Sequence, residues 1–230
     1  MRLASKTSDM EAAVSCIRDG DTVMIGGFGV PGTPFALIQA LVRHGARDLT
    51  IVKNDANERG MGVDHLLQSG QVARLITTHL GLNAHAIELM NTGKISVEFN
   101  AQGILAERIR AGGAGLGGVL SDIGIETELA AGKQIVEVLG QRFLVEPALR
   151  ADVALIHADR ADEFGNLAYV ATARNFNPLM AMAADCVIAE AETLLPVGGI
   201  APDEVHTAGV FIDHISGLGE LTKEYAVVQR

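Results

Sequence analysis

A short run, Thr22-Val-Met-Ile25, stops abruptly at glycine, and Gly26-Gly-Phe-Gly-Val-Pro-Gly-Thr-Pro34 follows. Beyond it, Leu37, Ile38, Leu41 and Val42 fall on one face of a 3.6-residue period. Thr33 offers an N-cap hydroxyl and Pro34 suits the first helical position, where a missing N–H costs nothing. Gly45 stands where a left-handed residue ends a helix. Leu49-Thr-Ile-Val52 reads as the next strand. Strand, glycine loop, helix, strand is a βαβ unit, and two strands joined through a helix are parallel. A parallel pair needs cover on both faces, so the first fifty residues already commit the chain to an α/β fold.

The rest of the chain continues the alternation. Met10, Ala13, Val14 and Ile17 predict an amphipathic helix ended by Gly20. Strands are expected over 72–78, 94–99, 153–157, 186–189 and 210–213, and helices over 104–110 and 178–184. A hairpin is expected from 135–138 and 143–145 around Gly140, and a turn over 162–166. No repeat, linker or shift in composition divides the sequence. The expectation is one domain over residues 1–230, with an open, mostly parallel or mixed sheet flanked by helices.

Charge and composition narrow the function. Eighteen Lys and Arg against 28 Asp and Glu leave a formal charge of −10, which excludes nucleic acid as a natural partner. Aromatic residues are 4% with no Trp, too few for base-stacking platforms. No apolar run approaches the roughly 18–20 residues of a membrane span, and the first ten residues carry no apolar signal core. A cytoplasmic, non-membrane protein is expected. Cys16 and Cys186 form neither a zinc pattern nor a disulfide framework, and their apolar surroundings predict buried free thiols. The seven histidines show no metal-binding spacing, so no metal is expected.

The glycine loop carries the chemistry. Glycines let a ligand approach the backbone, and a helix N-terminus behind them favours an anion. Gly27, Gly29 and Gly32 also satisfy G-x-G-x-x-G, with Asp55 lying 23 residues beyond Gly32. That leaves an NAD-dependent oxidoreductase open, with Asp55 on the ribose. A tight strand-to-helix turn without any ligand is the plain structural alternative.

Further motifs carry a resemblance. Gly26-Gly-Phe-Gly…Gly32-Thr-Pro34 is similar to the glycine loop in the alpha half of the 3-oxoacid CoA-transferases, the type I CoA-transferase family. Ala101-Gln-Gly-Ile-Leu-Ala-Glu-Arg-Ile-Arg-Ala-Gly-Gly-Ala-Gly115, Asp162…Gly165-Asn-Leu167, Ala173-Arg-Asn-Phe-Asn-Pro178 and His206-Thr207 with Gly209 follow in the family's order. The likeness runs over roughly residues 10–214 and looks closest to alpha subunits that act on acetate or acetoacetate.

The resemblance implies transfer of CoA between short-chain acids or 3-oxoacids through a glutamyl-CoA thioester. The nucleophilic glutamate would come from a separate B subunit, and coenzyme A would be a substrate, with no tightly bound cofactor. Gln102 would be an oxyanion donor. Gly26, Gly27, Phe28, Gly29, Val30, Pro31 and Gly32 would face CoA. Glu107 and Glu163 are expected to be non-catalytic. Ala101, Ile104 and Ala208 depart from the family pattern, and Asp122 and Glu126 place carboxylates in a segment usually neutral. Those charges leave another alternative, a non-catalytic scaffold subunit. The second glycine run, 112–118, fits either a site-facing backbone or a tight crossing. Arg174 fits either a substrate carboxylate or a structural ion pair.

Overall fold

Residues 5–227 are described by the structure, a computed structural model. In chain order the elements are α1 (Met10–Val14), β1 (Thr22–Ile25), α2 (Phe35–His44), β2 (Leu49–Val52), α3 (Val63–Gln68), β3 (Val72–Thr77), α4 (Ala84–Asn91), β4 (Ser96–Phe99) and α5 (Gln102–Gly113). They continue with β5 (Gly118–Ser121), β6 (Ile135–Val138), β7 (Gln141–Pro147), β8 (Ala151–Asp162), β9 (Leu167–Ala168), α6 (Asn177–Ala183), β10 (Ala184–Leu195) and β11 (His214–Gly217). The main sheet runs β11-β10-β8-β1-β2-β3-β4, with every neighbour parallel. β9 adds one short antiparallel pairing to β8. The mostly parallel α/β sheet is thus as expected.

At the centre of the sheet both faces are buried, which explains the apolar runs of β1 and β2. Val23 and Ile25 point to one face, where Leu37, Ile38 and Leu41 of α2 cover them. Met24 points to the other, in the cluster that holds Leu105 and Ile109 of α5 and Met180 of α6. Gly45 caps α2 with φ +83° and its N–H on the Leu41 carbonyl.

β5, β7 and β6 form a separate antiparallel sheet. The expected hairpin is its β6–β7 half, turning through Leu139 and Gly140, both at positive φ. Other expectations change. α1 is capped by the Asp9 carboxylate and stops at Val14, although Ile17 is still buried. α3 and α4 arise where no helix is expected. The late strand lies at His214–Gly217, and 209–211 is a 3-10 turn instead.

Candidate functional site

Sheet order reverses at β1, which has β2 on one side and β8 on the other. In open parallel sheets that reversal opens a crevice beyond the strand C-termini, where ligands bind. The glycine loop fills this position. Gly26 continues the ladder through its N–H to the Leu155 carbonyl, 2.9 Å away. A Cβ on Gly26 would lie 1.8 Å from Asn177 Oδ1, so the bare backbone is what lets the Asn177 amide sit there. That amide then donates to the Gly32 and Ala173 carbonyls at 3.1 and 2.9 Å. Asn175 donates to the Pro31 carbonyl at 2.9 Å. The paired asparagines of the 173–178 motif therefore brace the loop from outside.

From inside, the brace is Asp55. Its carboxylate accepts the Gly29 N–H at 2.8 Å, the Asn57 N–H at 2.8 Å and the Asn54 amide at 3.0 Å. Burial alone would raise its pKa. The Lys53 ammonium, 3.7 Å away, and the N–H donors outweigh burial and hold it below the ordinary value. Asp55 is 5% exposed. With its oxygens committed to the loop, it is not free for a ribose hydroxyl, which overturns the oxidoreductase alternative. Thr33 also departs from expectation. Its hydroxyl donates back to the Gly29 carbonyl at 2.7 Å instead of capping α2. Pro34 takes the cap position without a side-chain bond, and the buried Glu190 carboxylate accepts the Leu37 N–H at 2.8 Å.

Gln102 opens α5 at the end of β4, along the same sheet edge. Its side-chain N–H donates to Asn54 Oδ1 at 2.7 Å. Asn54 thus links Gln102 to Asp55 and so to Gly29. A primary amide has two N–H donors, and among the described residues the second has no partner. Behind the helix, Arg108 joins Glu98 at 2.5 Å and Asn100 at 2.6 Å, fixing α5 against β4. Phe28, Gln102, Gly103, Ala106, Asn175, Phe176 and Leu179 line a groove of about 260 Å³. The fold therefore brings Phe28 and Gln102 together. Val30 and Pro31 line a neighbouring cavity of about 170 Å³ with Tyr225, while Gly26, Gly27 and Gly32 are buried behind. Asn54 is a site residue that sequence reasoning missed. Its one signal was three polar residues, Lys53-Asn-Asp55, directly after an apolar strand.

Beneath the loop lies a second polar cluster. His157, 1% exposed, bonds Glu190 through Nδ1 at 2.9 Å and Glu192 through Nε2 at 3.1 Å. Burial would lower the His157 pKa, but the two carboxylates outweigh it and raise it to about 9.

The remaining sequence candidates separate cleanly. Glu163 is exposed in its turn, and Glu107 pairs with Arg110 at 2.7 Å. Arg174 is exposed and forms no ion pair among the described residues. Asp122 and Glu126 are exposed and do not line the groove, so the charge argument for a scaffold loses its basis. The second glycine run is a tight crossing at Gly112 and Gly113. Cys16 is exposed and Cys186 half-buried, contrary to the expected burial. Their sulfurs lie 3.7 Å apart, both as free thiols. Among the described residues no group of three His, Cys, Asp or Glu side chains is placed to hold a metal, and no helix is long and apolar enough to cross a membrane.

The chain is similar in sequence and fold to known proteins. The alpha subunit of a probable coenzyme A transferase from Bacillus subtilis (strain 168) is 48% identical over 211 residues, covering 91% of this chain and 92% of the relative. The alpha subunit of the acetate CoA-transferase of Escherichia coli (strain K12) is 43% identical over 213 residues, covering 93% and 97%. An acyl-CoA transferase of Escherichia coli O157:H7, solved as a thioester complex with CoA, matches the fold. Its TM-score is 0.85 at 21% identity, over 96% of this chain and 48% of that one. The model of the coenzyme A transferase family matches residues 7–217, and with these relatives the chain belongs to that family.

Proposed function

We propose that this chain is the alpha half of an acyl-CoA:carboxylate CoA-transferase, acting on short-chain acids or 3-oxoacids with a separate B subunit. The observation that carries it is Gln102. Asn54 anchors one N–H of its amide, leaving the other directed to solvent at a groove shared with the glycine loop. A fixed amide beside a thioester carbonyl stabilises the oxyanion that forms on attack.

The chemistry divides between the two chains. A glutamate carboxylate supplied by the B subunit attacks the thioester carbonyl, whose π electrons move to oxygen, where the Gln102 N–H meets them. Collapse expels CoA thiolate and leaves an acyl-glutamyl anhydride. The thiolate then attacks the glutamyl carbonyl, releases the product acid and leaves a glutamyl-CoA thioester. An acceptor acid reverses the steps. CoA is a travelling substrate throughout and faces the accessible part of the loop, Phe28 to Pro31. None of the residues lining the groove is a glutamate, Glu107 and Glu163 included, which supports a nucleophile from elsewhere.

The test is co-expression with the adjacent open reading frame, followed by assay of CoA transfer to acetate and to a 3-oxoacid. Transfer that requires both chains is expected. Full transfer by this chain alone would sink the two-subunit reading.

A further inference from the structure

The family match ends at residue 217, yet the chain continues and returns to the site. The segment Lys223–Val227 forms a 3-10 turn beside α2. Its Glu224 carboxylate accepts the Gly62 N–H at 2.6 Å and lies 3.3 Å from His65 Nε2 on α3. Tyr225 is inserted next to it, 6% exposed, with its ring edge-on to Phe35 at 4.7 Å. A buried tyrosine hydroxyl needs partners, and this one has three. It donates to the Thr33 carbonyl and lies 2.7 Å from His157 Nδ1 and 2.9 Å from Glu190 Oε1.

Thr33 is the pivot of that contact. Its hydroxyl holds the Gly29 carbonyl and its N–H bonds the Val30 carbonyl at 3.2 Å. Gly29 in turn is tied to Asp55, Asp55 to Asn54, and Asn54 to Gln102. We infer that Tyr225 is a positioning residue for the glycine loop: delivered from outside the family match, its hydroxyl fixes Thr33 and through it the backbone at Gly29. The ring alone would fill the space. The hydroxyl is the part that reaches the loop, so Tyr225→Phe isolates it.

Hydrogen exchange on the full-length chain tests this without turnover, so its outcome stands apart from the transferase assignment on which the substrate consequence rests. In Tyr225→Phe, amides of 26–33 should exchange about tenfold faster, while 108–118 keeps its protection. In the two-subunit enzyme the same variant should raise KM for acyl-CoA several-fold with kcat changed less than about twofold. Thr33→Val cuts the next link and should loosen 26–32 while leaving 222–227 protected. This variant decides the matter should Tyr225→Phe not fold. Unchanged exchange at 26–33 in a folded Tyr225→Phe, or at 26–32 in Thr33→Val, overturns the inference.

Discussion

The two glycine-rich stretches look alike on paper, with four glycines in 26–32 and five in 112–118. The fold uses them for opposite purposes. In the first, polar side chains seize the backbone: Asp55 takes the Gly29 N–H, while Thr33 and Asn57 both donate to its carbonyl. In the second, one polar side chain does so, Arg150 donating to the Gly112 carbonyl at 3.1 Å, and otherwise side-chain carbon and main-chain atoms press against it. A Cβ on Gly112 would meet the Leu149 carbonyl oxygen at 2.1 Å, and one on Gly113 the Met182 Cβ at 2.7 Å. One run is held in shape beside an open groove. The other lets α5 close against α6 and the chain leaving β7. Glycine content is therefore mute about function. The polarity of what surrounds the bare backbone is what tells site from seam.

The sharpest test of the contrast is Gln102→Ala. Gln102 is exposed and shares its network with the first run only. Loss of one oxyanion donor should cut kcat by about 10²–10³, or about 2.7–4 kcal/mol at the transition state. The melting temperature should hardly move. Wild-type turnover in this variant would make the first run a structural seam like the second.

Next in size is pH. The first run rests on a buried charged cluster, formed by His157, Glu190, Glu192 and Tyr225, whereas the Arg150–Asp185 pair beside Gly112 in the second is exposed. The folded pKa of His157 is raised from 6.5 to about 9. A raised pKa contributes stability fully present below the unfolded value and lost as pH rises through the folded one. The loss should reach about 3 kcal/mol at most, read as a falling melting temperature between pH 7 and 9.5. His157→Gln should start lower at pH 7 and lack that slope. A flat wild-type profile would place the proton elsewhere.

Substituting one glycine from each run separates stability from binding. Gly112→Ala forces a methyl into a carbonyl oxygen and should cost about 1–3 kcal/mol, with KM unchanged in the folded fraction. At Gly29 nothing lies within 4 Å of an added Cβ, but φ is +59°. Gly29→Ala should cost about 1–2 kcal/mol of left-handed strain and raise KM. A KM effect from Gly112→Ala would bring the second run into the site.

How far this could be read in advance depended on the range of each interaction. The βαβ unit was legible because an apolar strand, a stripe at helical spacing and a terminal glycine are local signals. α3 and α4 were not. The first is six residues long, so its buried stripe of Val63, Leu66 and Leu67 spans a single turn, and only Ala86 of the second is buried. The late strand was displaced because Ile212 and Ile215, both buried, are spaced by three and not by two. The groove was legible in one half. Its glycine loop has a physical signature, whereas Gln102 stood out only through resemblance, since its partner Asn54 is 48 residues away. The Cys16–Cys186 proximity and the Tyr225–His157–Glu190 cluster join positions 170, 68 and 35 residues apart. Pairings at that range leave no trace in local periodicity.

Gly103 gives the smallest effect and the finest division. It belongs to neither run, sits in the first turn of α5, lines the groove beside Gln102, and has nothing within 4 Å of an added Cβ. Helix propensity therefore favours alanine, by about 0.5 kcal/mol or a little more. If glycine there serves only the chain, Gly103→Ala should melt slightly higher and turn over normally. The groove predicts otherwise, because a methyl beside the Gln102 amide would stand where the thioester must come. Higher melting with a several-fold lower kcat/KM is the expected pair of results. Unimpaired turnover in the stabilised variant would move the reacting carbonyl away from the head of α5.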